Sequence, residues 1–180
     1  LLVVRLLSLV FLGTGGGRFA TILQTRATGG LYLYSNSTRL HIDPGPGALI
    51  RLKECGIDPT KTTAIIVTHN HPDHYNDAEI LIEAMTHGCK KKKGVFVASE
   101  SVLRGYQSLG PSVSRYHSSK PLRTEILRPG TELELDHLRI RTTRTAHSDA
   151  TAFGLRIDSP DGVLSMTGDT ALKEELFDDH

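Results

Sequence analysis

Apolar residues come along this chain mostly in short runs bounded by turn-forming residues. Ala64-Ile65-Ile66-Val67 reads as a buried strand. Residues 31–34 and 39–43 are β-prone runs joined by Ser35-Asn36-Ser37-Thr38, which has a turn composition. Residues 94–98 predict a further strand, and the remainder is β-rich, with runs at 124–127, 132–135, 138–145, 152–157 and 162–166. Helical signals occur twice. Asp43-Pro44-Gly45-Pro46-Gly47 stops a strand and opens a helix over 48–55, with Gly56 placed at its C′ position. Ile80, Leu81, Ala84 and Met85 supply the apolar face of a second helix ended by Gly88. Asn76 is placed to cap that helix, with Glu79 three residues on as a capping-box partner.

The apolar start, residues 1–12, has two readings. Arg5 interrupts it, no small-residue cleavage site follows, and it is too short to span a bilayer. A buried first strand fits better, because Gly13-Thr14-Gly15-Gly16-Gly17 follows directly as a turn. That glycine run matches neither dinucleotide nor P-loop spacing, and residues 21–25 after it read as extended, so a tight turn beside a site is preferred over a nucleotide loop. Residues 104–121 predict a long exposed loop. The Lys90–Lys93 run reads as a solvated turn in preference to a phosphate-binding patch. Arg139 and Arg141 share one strand face and are expected in solvent.

At 180 residues, with 38% hydrophobic and 23% charged residues, the chain fits one soluble domain with a sizeable core. A net charge of +1 supplies no strong field toward nucleic acid or a membrane surface. Cys55 and Cys89 lack CxxC spacing and form no disulfide framework, so reduced, buried or half-buried thiols and a cytoplasmic location are expected.

The candidate chemistry is concentrated just after the 64–67 run. Of nine histidines in the chain, three lie in His69-Asn70-His71-Pro72-Asp73-His74, together with an aspartate. Imidazole and carboxylate are ligands that divalent zinc prefers, and a loop at a strand end can aim several at one point. Two distant residues, His147 and Asp169, each follow an extended run and offer further ligand types. His41, inside a strand, reads as a packing or surface histidine.

The order HxHxDH, then a distant histidine, then the aspartate of Gly168-Asp169-Thr170 resembles the metallo-β-lactamase-fold hydrolases. The stretch from Phe11 to Phe19 and Ile42-Asp43-Pro44-Gly45-Pro46-Gly47 are similar to its ribonuclease Z-like and phosphodiesterase-like branches. The resemblance implies an α/β fold, a four-layer αβ/βα sandwich, in a single domain. By the same resemblance His69, His71 and His147 hold a first metal, Asp73 and His74 bind a second, and Asp169 bridges both. The family takes a later histidine for the second metal. His180 falls too early for it, so the chain is expected to be truncated at its C-terminus, with its own activity in question.

Two Zn2+ ions are implied, with Mn2+ or Fe2+ as alternatives. A histidine at position 71 sets the motif apart from di-iron relatives resembling HxExDH. Two cations about 3.5–4 Å apart share a water, lower its pKa and present hydroxide, which Asp73 would orient after accepting the proton the water gives up. A phosphodiester substrate, small-molecule or nucleotide-type, is preferred over esters, thioesters or lactams. Transfer RNA is less favoured, because the usual gripping arm is not evident and the charge is balanced. Other readings are a glyoxalase- or lactonase-like hydrolase, a non-catalytic metal-binding protein of the same fold, and a globular domain with coincidental histidines. No membrane partner is expected, and the oligomeric state is open, a homodimer included.

Overall fold

The computed structural model of the chain describes residues 7–179. Ten strands form two sheets. The first sheet runs β1 (Ser8–Gly13), β2 (Thr28–Ser35), β3 (Thr38–Ile42), β4 (Ala64–Val67), β5 (Val95–Ser99) and β6 (Arg123–Leu127), neighbours in that order. The second runs β10 (Gly162–Met166), β9 (Gly154–Ser159), β8 (Leu138–Thr143) and β7 (Glu132–Leu135). Helices are α1 (Arg18–Leu23), α2 (Ala48–Glu54), α3 (Pro72–Tyr75), α4 (Ala78–Met85), α5 (Glu100–Arg104) and α6 (Arg115–Ser118). Among these residues no helix is long and apolar enough to cross a membrane.

The uninterrupted apolar run of β4 has a simple cause: both of its faces are covered. Ile65 and Val67 join an apolar cluster with Leu52 of α2 and Leu81, Ile82 and Met85 of α4, while Ala64 and Ile66 join a second cluster with Ile140, Leu155 and Ile157 of the other sheet. Strand alternation sends successive side chains to opposite faces. Neighbouring strands repeat the pattern, with Tyr32 and Phe96 on the helix side and Leu33, Leu40 and Val97 between the sheets. The described residues thus supply a helix layer and two sheets of the expected sandwich.

Strands β3 to β6 pair in parallel. Their C-terminal ends therefore open on one edge, the usual place for a site in such a sheet. In the second sheet β8 and β10 both lie antiparallel to β9, so their ends also share an edge.

Several expectations need correction. Residues 21–25, expected to be extended, lie largely in α1. That helix buries no residue and so shows no helical period. It starts from Gly17, at φ 79, whose carbonyl accepts the Thr21 N–H and hydroxyl at 3.1 and 2.8 Å. Asn76 does not cap α4. Asp77 stands at its N-cap without a side-chain cap, its carboxylate accepting Leu49 N–H at 3.1 Å instead. Glu79 turns away to accept Ser114 N–H at 2.7 Å. The 104–121 stretch is not all loop, since it holds α6, capped by the Ser114 hydroxyl. Cys55 is exposed and only Cys89 is half-buried, both as free thiols. In the predicted first strand, residues 1–6 lie outside the described residues and Ser8–Gly13 forms β1. His180 is likewise outside them.

His41 is a packing histidine. Its ring is fully buried against Tyr32, with Nε2 bonded to the Gly29 carbonyl at 2.8 Å. Burial lowers its pKa to about 4, which keeps it neutral.

Candidate metal centre

β4 ends at Val67, and the chain then turns through the histidine loop into α3. His69 Nε2 lies 3.0 Å from His71 Nδ1, and His147 Nε2 lies 3.1 Å from the same His71 atom. Three imidazole nitrogens therefore face one point. On the other side of His69, its ring, the His74 ring and the Asp169 carboxylate offer donor atoms within 4.8 Å of one another. Asp73 adjoins this second group, its Oδ2 standing 3.5 Å from His74 Nε2 and accepting Gly17 N–H at 2.8 Å. Asp169 Oδ1 is also 3.5 Å from His74 Nε2.

All six side chains singled out in the sequence thus meet, although they come from both sheets. His147 follows β8 and Asp169 follows β10, and the two loops are tied by Ala146 N–H to the Thr170 hydroxyl and Ala171 N–H to the Ala146 carbonyl, both at 2.9 Å.

The residue that orders this group is Asp43, which follows β3 and stands outside the histidine motif. Its carboxylate accepts Thr68 N–H at 2.7 Å, the Thr68 hydroxyl at 2.8 Å and His74 Nδ1–H at 2.9 Å. Because the Thr68 hydroxyl donates to Asp43, it is free to accept from His69 Nδ1–H at 3.1 Å. One buried carboxylate therefore sets the tautomers of two histidines and turns both Nε2 atoms inward, the usual way a carboxylate behind a histidine prepares a metal ligand. Asp43 itself sits at φ 52, a left-handed conformation that aspartate tolerates.

A second brace lies under Asn70. Its N–H donates to Asp149 Oδ2 at 3.1 Å, and its side-chain amide donates to the carbonyls of Ser101 and Gly110 at 3.1 and 3.3 Å. Its carbonyl accepts the Ser112 hydroxyl, and Asp149 also accepts from the Ser101 hydroxyl. The residue between the two histidines is thus fixed by the loop after α5 and by the loop after β8. Neither Asp149 nor Ser101 carries a sequence signal, because their partners are 79 and 31 residues away from them or from Asn70.

Electrostatics show what the group would accept. Burial pulls the His74 pKa down, but the Asp43 charge and the contacts with Asp169, Asp43 and Asp73 raise it to about 12. Burial and the neighbouring His74 charge lower His69 to about 4, so its lone pair is free at neutral pH. Burial pushes the Asp73 carboxyl up, yet His74 and the Gly17 N–H hold it well below the usual carboxylate range. Hydrogen bonding to His74 does the same for Asp169. His74 Nε2 is buried with no hydrogen-bond partner, facing two carboxylates. An orphaned nitrogen among ionised carboxylates, beside three converging imidazoles, fits divalent cations and their N/O donor preference.

Gly45 holds the loops at this spacing. A Cβ there would lie 2.0 Å from the Asp73 carbonyl oxygen and 2.3 Å from that of Thr28. Gly45→Ala is therefore expected to destabilise the chain by about 3 kcal/mol through overpacking. Urea unfolding checks it, and an unchanged midpoint would show that the loops can part freely.

Residues 38–180 match the family described as the beta-lactamase superfamily domain. An uncharacterised protein of Methanocaldococcus jannaschii is 45% identical over 171 residues, which cover 95% of this chain and 64% of that protein. A ribonuclease Z of Methanopyrus kandleri is 32% identical over 161 residues, covering 87% of this chain and 52% of the ribonuclease. The chain thus spans less than two thirds of either relative's length. The metallo-β-lactamase fold protein YhfI from Bacillus subtilis shares the fold with a TM-score of 0.71 at 22% identity, over 93% of this chain and 64% of that one. Since the family match takes in the whole histidine loop, His147 and Asp169, and most of both sheets, this protein belongs to the β-lactamase superfamily.

Proposed function

We propose that this protein is a metal-dependent hydrolase that holds two divalent ions, zinc foremost, and cleaves phosphodiester bonds. The observation that carries the reading is the pair of donor groups sharing His69, one with His71 and His147, the other with His74 and Asp169. His71, Asp73, His147 and Asp169 line one wall of a cleft of about 440 Å3, and Arg18 and Ile22 of α1 line another. When bound, two such cations lower the pKa of a water and polarise a phosphoryl oxygen.

The chain's own groups divide the remaining work. His69, His71 and His147 would hold one ion, and His74, Asp73 and Asp169 the other. Asp73 keeps its carboxylate ionised through Gly17 N–H and His74, and so can orient a nucleophile and take its proton. The Arg18 guanidinium at the cleft wall can contact a phosphate oxygen from the solvent side. The ribonuclease Z relatives make an RNA phosphodiester the natural polymeric substrate to test. The net charge of +1 favours a short segment over a long polyanion.

The test combines metal analysis with substrate choice. Purified without chelator, the protein should carry about two ions per chain. It should hydrolyse bis-p-nitrophenyl phosphate in preference to the thioester S-lactoylglutathione. Absence of bound metal would sink the dinuclear reading, and the opposite substrate preference would move the protein to the thioesterase class.

A further inference from the structure

At the C-terminal end of α4 lies a second group of metal-ligand types. Glu83 comes from α4, Cys89 from the turn after it, and His117 from α6, and their donor atoms lie within 4.8 Å of one another. We propose that Glu83, Cys89 and His117 form a separate zinc site that ties α6 to the end of α4. It shares no residue with the candidate metal centre and does not depend on that reading.

Local geometry builds the group. The Gly88 N–H bonds back to the Glu83 carbonyl at 2.7 Å, so the chain folds over the last turn of α4. Cys89 follows at φ 62, a left-handed conformation. Glu79 lies one turn before Glu83 on the same helix face. His117 reaches this face from α6, its Nε2 3.0 Å from Glu83 Oε1. Its other nitrogen, Nδ1, is 3.2 Å from Glu79 Oε2 and 2.9 Å from the Ser114 hydroxyl.

That second contact also prepares the ring as a ligand. A carboxylate behind Nδ1 fixes the tautomer that leaves Nε2 to a metal, the arrangement found behind zinc-bound histidines. Nε2 then faces a carboxylate and a thiol, an S/N/O set that suits zinc. Tetrahedral zinc needs donor separations of about 3.3–3.7 Å, so side-chain rotations of the flexible Glu83 close the set. The Glu83 side chain is 41% exposed, which leaves a fourth position open to water. Binding releases the thiol proton, and the Nε2 proton where the imidazole is charged, to solvent.

The tie has a structural consequence. α6 closes the loop that carries Gly110 and Ser112, and both of these hold the Asn70 side chain. Zinc at this site would therefore stiffen the far end of the brace under the histidine loop.

Cobalt(II) distinguishes this site from the candidate metal centre, which contains no thiolate. Titrating the full chain with cobalt at slightly alkaline pH should produce a thiolate-to-cobalt charge-transfer band in the near ultraviolet. The band should vanish in Cys89→Ser, survive in Cys55→Ser and His71→Ala, and require about tenfold more cobalt in Glu79→Gln. Zinc should also protect residues 105–121 from proteolysis in the parent chain and not in Cys89→Ser. No band in the saturated parent, or a band that persists in Cys89→Ser, overturns the proposal. Should Cys89→Ser fold poorly, Glu83→Gln serves in its place and must weaken cobalt binding about tenfold or more.

Discussion

Replacing Asp73 with alanine is expected to lower hydrolysis of bis-p-nitrophenyl phosphate about a thousandfold while leaving the fold in place. The side chain belongs to neither apolar core. Its partner on a distant backbone segment is Gly17 N–H at 2.8 Å, a hydrogen bond that contributes about 1 kcal/mol. Stability should therefore change little. Turnover should fall because the ionised carboxylate beside His74 is both a candidate ligand and the candidate proton acceptor. Asp73→Asn sharpens the test, since the amide oxygen can keep the Gly17 contact but carries no charge. If the asparagine variant turns over like the parent, Asp73 only shapes the loop and its assigned role is wrong.

Asp43→Ala should be the most damaging single change to the folded chain, at about 3–5 kcal/mol. It leaves the buried Thr68 N–H without its acceptor and His74 without the partner at Nδ1. It also places alanine at φ 52, where its Cβ is disfavoured. A fall in melting temperature on the order of 10 °C follows for a chain of this size. Asp43→Asn keeps the tolerated backbone and can still accept from Thr68, so it should be milder in stability yet weaken metal binding about 10–100-fold.

The pH dependence has a definite sign in the metal-free chain. The His74 pKa is raised to about 12, so its contribution is present in full below its unfolded value near 6.5 and is lost as pH rises toward 12. The deficit of Asp43→Ala should therefore be largest at neutral pH and below, and shrink in alkali. Urea unfolding across pH measures this. A deficit that grew with pH would mean that His74 is not held charged by Asp43.

How much of this was legible beforehand depended on how local the signal is. The buried strand Ala64–Val67 was plain because both of its faces are covered, so its four residues form one apolar run. The metal-ligand types were plain because four of the six candidate ligands stand in one loop and the other two, His147 and Asp169, each follow a strand closely, and the resemblance ordered them. Helix Arg18–Leu23 was not, because it buries nothing and its start depends on a left-handed glycine tied to Asp73. Asp43 was visible as part of a turn motif, but its task of orienting His74 acts across 31 residues. Asn70, standing between two histidines, carries no signal of its own. Its partners come from three distant segments, and no period or spacing in the chain announces such a web.

The Asp149 contact has one more consequence. It joins the loop after β8 to the backbone of the histidine loop after β4, so the two sheets are clasped at this edge by the protein alone. Incoming ions would then meet a cleft already assembled, and would spend little of their binding energy on ordering the chain. An ion held by His74 would have to displace the proton from Nε2, so metal affinity should rise with pH at fixed metal concentration.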